Sequence, residues 1–168
     1  MRHPSLALLL GALLIGIPPA QAASTSSGAL KAAITLNIMR YIGFPAKGGA
    51  RTIQLCVSPD TTGASNLARL NGQRVNNRSI AHRSVDAGFA SGCDVVVLGR
   101  SSTAEIQRYR RSGSVVIGDG SNFLSSGGTI GLVQTGSQIR FEVSLGAARE
   151  AGVTISSKLL RLAARVQQ

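Results

Sequence analysis

Tryptophan is absent, aromatic residues make up only 4% of the chain, and 7 acidic residues face 18 lysines and arginines. With so few rings, any core must be aliphatic. Cysteine is nearly missing too, and two such residues cannot make a disulfide-dense miniprotein or a four-thiolate metal site. Charged residues are scarce at 15%, which excludes a disordered basic tail, because such a tail would be charge-rich and apolar-poor. What is there is 43% apolar residues in 168 positions with a net charge of +11, the profile of one small, ordered, basic domain.

The first residues read as a secretory leader. Arg2 and His3 precede an apolar run from Leu6 to Ile17, Pro18-Pro19 break it, and Ala20-Gln21-Ala22 provides the small-x-small end that a signal peptidase cuts. The run is too short for the roughly 20 residues that span a bilayer. Residues 1–22 are therefore expected to be a signal peptide cleaved after Ala22, with residues 23–168 forming one exported domain in the periplasm. Cys56 and Cys93 permit a single intrachain pairing, and in an oxidising compartment a disulfide is the default. In the chain-entropy model a loop of that length is worth about 4 kcal/mol.

Apolar residues recur at helical spacing as Leu30, Ile34, Ile38 and Tyr41 or Ile42, which predicts a helix ending before Pro45 with Asn37 on its core stripe. Thr52 to Val57 alternates as a strand, with Ile53, Leu55 and Val57 on one side and Cys56 on the other. Leu67 and Leu70 suggest a short helix, and Arg78 to Val85 a second strand. Val95 to Leu98 is a continuous apolar run, as in an interior strand covered on both faces. Ser101 or Ser102 caps a helix that ends in Arg108, Arg110 and Arg111, where the helix dipole favours cations. Ser114 to Ile117 is a further strand. Thr129–Gln134 and Gln138–Leu145 flank Thr135-Gly136-Ser137 as an antiparallel hairpin. Ser156-Ser157 opens a last helix with Leu159, Leu162, Ala163 and Val166 on one stripe. Together these predict an α/β fold: one mixed sheet with parallel inner strands, a C-terminal antiparallel hairpin and flanking helices.

Residues that carry chemistry are thin on the ground. His82 has no metal-ligand companions at the right spacing, and Gly118-Asp119-Gly120 reads as a turn because Phe123 stands where a dinucleotide fingerprint needs glycine. No G-x-S-x-G or S-x-x-K occurs. No enzyme activity, cofactor or metal is expected. Two features could recognise a partner. Arg108, Arg110 and Arg111, with Arg74, Arg78 and Arg83 elsewhere, offer a basic surface to an acidic protein face or anionic polymer, nucleic acid being an unlikely target outside the cytoplasm. Ser156, Ser157 and Lys158 at a helix start could hold a small anion, joined by Arg40 if the terminal helices are neighbours.

Several segments resemble the YfiR family of exported regulators. They are Leu30-Lys31-Ala32-Ala33 with Asn37 and Arg40-Tyr41-Ile42 up to Pro45, Cys93-Asp94-Val95-Val96-Val97, Gly127-Gly128-Thr129-Ile130 and Arg140-Phe141-Glu142-Val143-Ser144-Leu145. Ala147-Ala148-Arg149, Ala151-Gly152-Val153 and the stretch from Ile155 to Ala163 complete the set, in order, across essentially the whole exported part. The resemblance implies a periplasmic α/β domain that docks on the periplasmic sensor region of an inner-membrane diguanylate cyclase, restraining it and lowering cyclic di-GMP signalling and biofilm formation. It also implies that Cys56 and Cys93 occupy the family's usual cysteine positions. The second cysteine pair that some members carry near the glycine-rich turn is missing, as is the Trp-Pro end of the first-helix motif. The alternative class is a periplasmic small-molecule binder taking an anionic ligand. The oligomeric state is left open, with a homodimer as one outcome.

Overall fold

The apolar runs pair as strands, and they pair mostly in parallel. The computed structural model describes residues 26–45, 51–85 and 91–168; the leader and the cut after Ala22 lie outside them. In chain order the elements are α1 (Ser27–Arg40), β1 (Ile42–Gly43), β2 (Thr52–Val57), α2 (Ala64–Ala68), β3 (Arg74–Val75), β4 (Arg78–Ser84), β5 (Val95–Leu98) and α3 (Thr103–Arg111). There follow β6 (Val115–Asp119), β7 (Ile130–Thr135), β8 (Gln138–Ser144), α4 (Leu145–Glu150), β9 (Thr154–Ile155), α5 (Ser157–Leu162) and β10 (Arg165–Gln167).

The main sheet has eight strands in the order β10-β8-β7-β6-β5-β2-β4-β3, and β1 pairs with β9 in a separate two-stranded ribbon. Strands β4, β2, β5, β6 and β7 run parallel, while β8 turns back on β7 as the expected hairpin. Parallel neighbours need crossovers: α2 supplies the one from β2 to β4 and α3 the one from β5 to β6, whereas β6 reaches β7 through turns at residues 121–127. Because side chains alternate along a strand, Leu55, Val57, Val95, Val97, Val115 and Ile117 face one side, in one apolar cluster with Ile38 and Met39 of α1, Leu67 of α2, Ala148 of α4 and Leu159 of α5. Cys56, Val96, Leu98 and Val116 face the other, against Ile106 and Tyr109 of α3 and Phe123.

Three expectations are corrected. Helix α1 is rotated from its expected stripe: Lys31, Ala32, Thr35, Ile38 and Met39 are buried, Leu30 and Ile34 are only half-buried, and Asn37 is exposed. The buried side begins at Gly28, where α1 comes so near the start of α2 that a Cβ would stand 2.7 Å from the Cα of Gly63. Helix α5 stops at Leu162, because Ala163 turns extended at ψ 138° and the chain enters β10, so Val166 belongs to a strand. That strand lies parallel to β8, and Arg165 pairs with Glu142 at 2.7 Å. Leu145 opens α4 instead of ending the hairpin, because the Ser144 hydroxyl accepts from the Ala147 N–H at 3.2 Å and caps a helix there.

Candidate functional site

Strand order dictates where the sheet opens. From β2 the chain crosses by α2 to β4 on one side, whereas β5 lies on the other side of β2 and continues by α3 to β6. The loops after β2 and β5 therefore part over opposite faces, and the carboxyl ends of the parallel strands border a crevice there. Its volume is about 630 Å³, and its walls come from the segments after β2, β5 and β6.

The segment after β2 is laced to β5. Ser58 N–H donates to the Val97 carbonyl at 2.9 Å, and the buried Thr61 hydroxyl donates to the same oxygen at 3.2 Å. The Asp60 carboxylate accepts from the Ser58 hydroxyl and, at 2.9 Å, from the Arg100 N–H. The Ser58 hydrogen bond, seconded by the Arg100 amide and the nearby guanidinium, holds the Asp60 carboxyl below its ordinary value of 3.8, so it is ionised at neutral pH. Gly99 leaves room for this, as a Cβ there would meet Asp60 Oδ1 at 2.6 Å.

On the opposite wall Asp119 ends β6 and accepts from Lys31 Nζ at 2.6 Å. The Lys31 side chain is 9% exposed and that of Asp119 is 37% exposed, so the ammonium is enclosed while the carboxylate still faces the crevice. Phe123 and Ile106 provide an apolar floor. Phe123 lies against both Gly118 and Gly128, where any Cβ would overlap its ring. Around this floor Thr62, Ser101, Ser121, Asn122 and Ser126 present hydroxyl and amide groups, and Arg100 adds a guanidinium. The assembly offers donors, acceptors, two carboxylates and one guanidinium, which suits binding of a polar small molecule.

The residues singled out from sequence lie elsewhere. Pairing of β1 with β9 brings the end of α1 beside the start of α5, with Ser156 N–H donating to the Tyr41 carbonyl at 3.0 Å. Arg40 and Ser156 thus line one open groove of about 310 Å³. Ser157 and Lys158 are exposed outside its lining, and the Ser156 hydroxyl accepts from the Lys158 N–H at 3.2 Å as an ordinary cap. The Arg40 guanidinium donates to Asn37 Oδ1 at 3.0 Å. On α3, Arg108 and Arg111 are exposed, whereas Arg110 Nε stands 2.9 Å from the Glu150 carboxylate of α4. Arg78 donates to the Pro45 carbonyl at 3.0 Å and Arg83 to the Ser91 carbonyl at 2.7 Å, so both brace local chain.

Cys56 and Cys93 form a disulfide with Cα atoms 5.8 Å apart, joining β2 to the entry of β5. Among the described residues there is no cluster of three or more metal-ligating side chains, and no helix long and apolar enough to cross a membrane.

Comparison with known proteins adds a family and a fold. The family model described as YfiR/HmsC-like matches residues 28–164. Among curated protein sequences none matches the chain. A conserved domain protein from Vibrio cholerae O1 biovar El Tor strain N16961 has a similar structure, with a TM-score of 0.52 and 11% identity over 84% of this chain. So does the ABC domain from Streptococcus pneumonia solved in complex with L-Trp, with a TM-score of 0.53 and 10% identity over 80% of this chain. The match spans 60% of each of those chains. At such identities the likeness concerns the α/β fold alone.

Proposed function

The chain belongs to the YfiR/HmsC-like family, and on that premise we propose that it is an exported regulator that restrains a membrane-bound diguanylate cyclase by docking on its periplasmic sensor domain. The observation that carries this reading is the family match itself, which runs from α1 almost to β10 without interruption. The leader-like N-terminus agrees with export, and the Cys56–Cys93 disulfide agrees with an oxidising compartment.

Restraint of this kind needs no bond-making. A protein that binds the inactive conformation of a receptor better than the active one shifts the population toward inactivity by the ratio of the two affinities. The net charge of +10 left once Arg2 is removed with the leader favours an acidic docking face, and complementary charge contributes mainly association rate and choice of partner. Arg108, Arg110 and Arg111 at the end of α3 are the side chains proposed to meet it.

The test is genetic and biochemical together. Deleting the gene should raise cellular cyclic di-GMP and surface attachment, and the tagged exported protein should co-purify a cyclase from solubilised membranes. Replacing Arg108 and Arg111 by Gln, which puts no negative charge at the end of α3, should weaken that recovery by about tenfold while the protein still unfolds cooperatively. Unchanged cyclic di-GMP together with no cyclase recovered would refute the proposal.

A further inference from the structure

We propose that the crevice at the carboxyl ends of β2, β5 and β6 binds a small sugar acid, a polyhydroxylated ring bearing one carboxylate. The inference is independent of receptor docking and concerns a different end of the molecule from Arg40 and Ser156.

Place and size come first. The crevice lies where the chain reverses its direction of travel across a parallel sheet, the position at which open α/β sheets take ligands. Its volume of about 630 Å³ suits a molecule of one or two rings. The walls are also built firmly: Asp60 is bonded from Ser58 and Arg100, Asp119 from Lys31, and Phe123 is held against Gly118 and Gly128.

The chemistry of the walls then narrows the ligand. Both carboxylates are already engaged, Asp119 by the enclosed Lys31 ammonium and Asp60 by the Ser58 hydroxyl and the Arg100 backbone N–H. An incoming ammonium would meet the Arg100 guanidinium at the rim and find Asp119 already paired. A hydroxyl asks for less, since it donates one proton to a spare carboxylate lone pair and accepts from a neighbouring donor. Ser101, Ser121, Asn122 and Thr62 can each give and take in that way. Phe123 and Ile106, both buried, close the base of the crevice with apolar edges beneath the C–H face of a sugar ring.

One negative charge completes the match. The Arg100 guanidinium makes no ion pair among the described residues, and its planar fork suits a carboxylate. With Lys31 spent on Asp119, a doubly charged phosphate ester would instead face two carboxylates with Arg100 alone to balance it.

Calorimetric titration of the purified exported protein decides the matter, using glucuronate and galacturonate, glucose, glycine and inorganic phosphate as probes. At least one sugar acid should bind with a Kd below about 10 mM, and glucose about tenfold more weakly. Arg100→Gln keeps the backbone N–H that Asp60 uses, so it should fold with an unchanged melting temperature while bringing the sugar acid down to the level of glucose. Thr62→Val should weaken both sugars alike. Binding of none of the sugars, stronger binding of glycine or phosphate, or full sugar-acid affinity in Arg100→Gln would each overturn the proposal. None of these outcomes bears on whether a cyclase co-purifies.

Discussion

Lys31 and Asp119 are the pair whose energetics are least symmetrical. The ammonium sits in a side chain 9% exposed, while its partner's carboxylate is 37% exposed and can reach water. Removing one member of such a pair strands the other, and the cost follows the burial of the group left behind. Asp119→Ala should therefore lower stability by about 1–3 kcal/mol, and Lys31→Met by less than half of that, because Met keeps the packing and leaves a carboxylate that can hydrate. Urea unfolding midpoints at constant slope measure both. Equal losses, or a greater loss in Lys31→Met, would contradict the assignment. Nothing in the local pattern announced this pair: Lys31 sits between apolar residues on a helix, and Asp119 lies between two glycines, which reads as a turn.

Elements differ in how much of them the sequence declares. Strands β2 and β5 are legible to the residue, the first from its alternation and the second from four consecutive apolar residues. The two-residue strands β1, β3 and β9 carry no such signature, since backbone pairing alone defines them. Strand β10 is masked by a helical spacing from Leu159 to Val166 that the chain abandons once the free edge of β8 offers hydrogen bonds. The crevice was hidden for a related reason: its residues follow three strands that are remote in sequence, and each segment by itself looks like a loop. Knowledge of strand order would have pointed to it. Because β10 pairs with Glu142, Val143 and Ser144 of β8, deleting residues 164–168 should bare that end of the strand, extend its free edge and break the Arg165–Glu142 pair. Light scattering should then show association that grows with concentration beyond that of the full chain; identical scattering would mean that β10 does not protect the edge.

At the scale of the whole molecule, the disulfide bonds two neighbouring central strands on the face that α3 covers, where Cys56 and Cys93 share a cluster with Ile106 and Tyr109. It closes a loop with a sequence separation of 37, across the passage through β4. Cys56→Ser should lower the melting temperature by about 5–15 °C under oxidising conditions, and reductant should bring the parent protein down to the variant while leaving the variant unmoved. A parent protein indifferent to reductant would show that the bond contributes nothing to stability.

Helix α1 spans between two attachments of different kinds. Near its start Lys31 is fastened to the tip of β6, and just past its end the Tyr41 carbonyl holds the backbone of Ser156. About 14 Å of rigid rod separates Lys31 from Arg40. A shaft clamped at both ends transmits displacement instead of absorbing it, so any shift of Asp119 tugs on the far groove as well, and the two poles of the protein are geared to one another through a single axle.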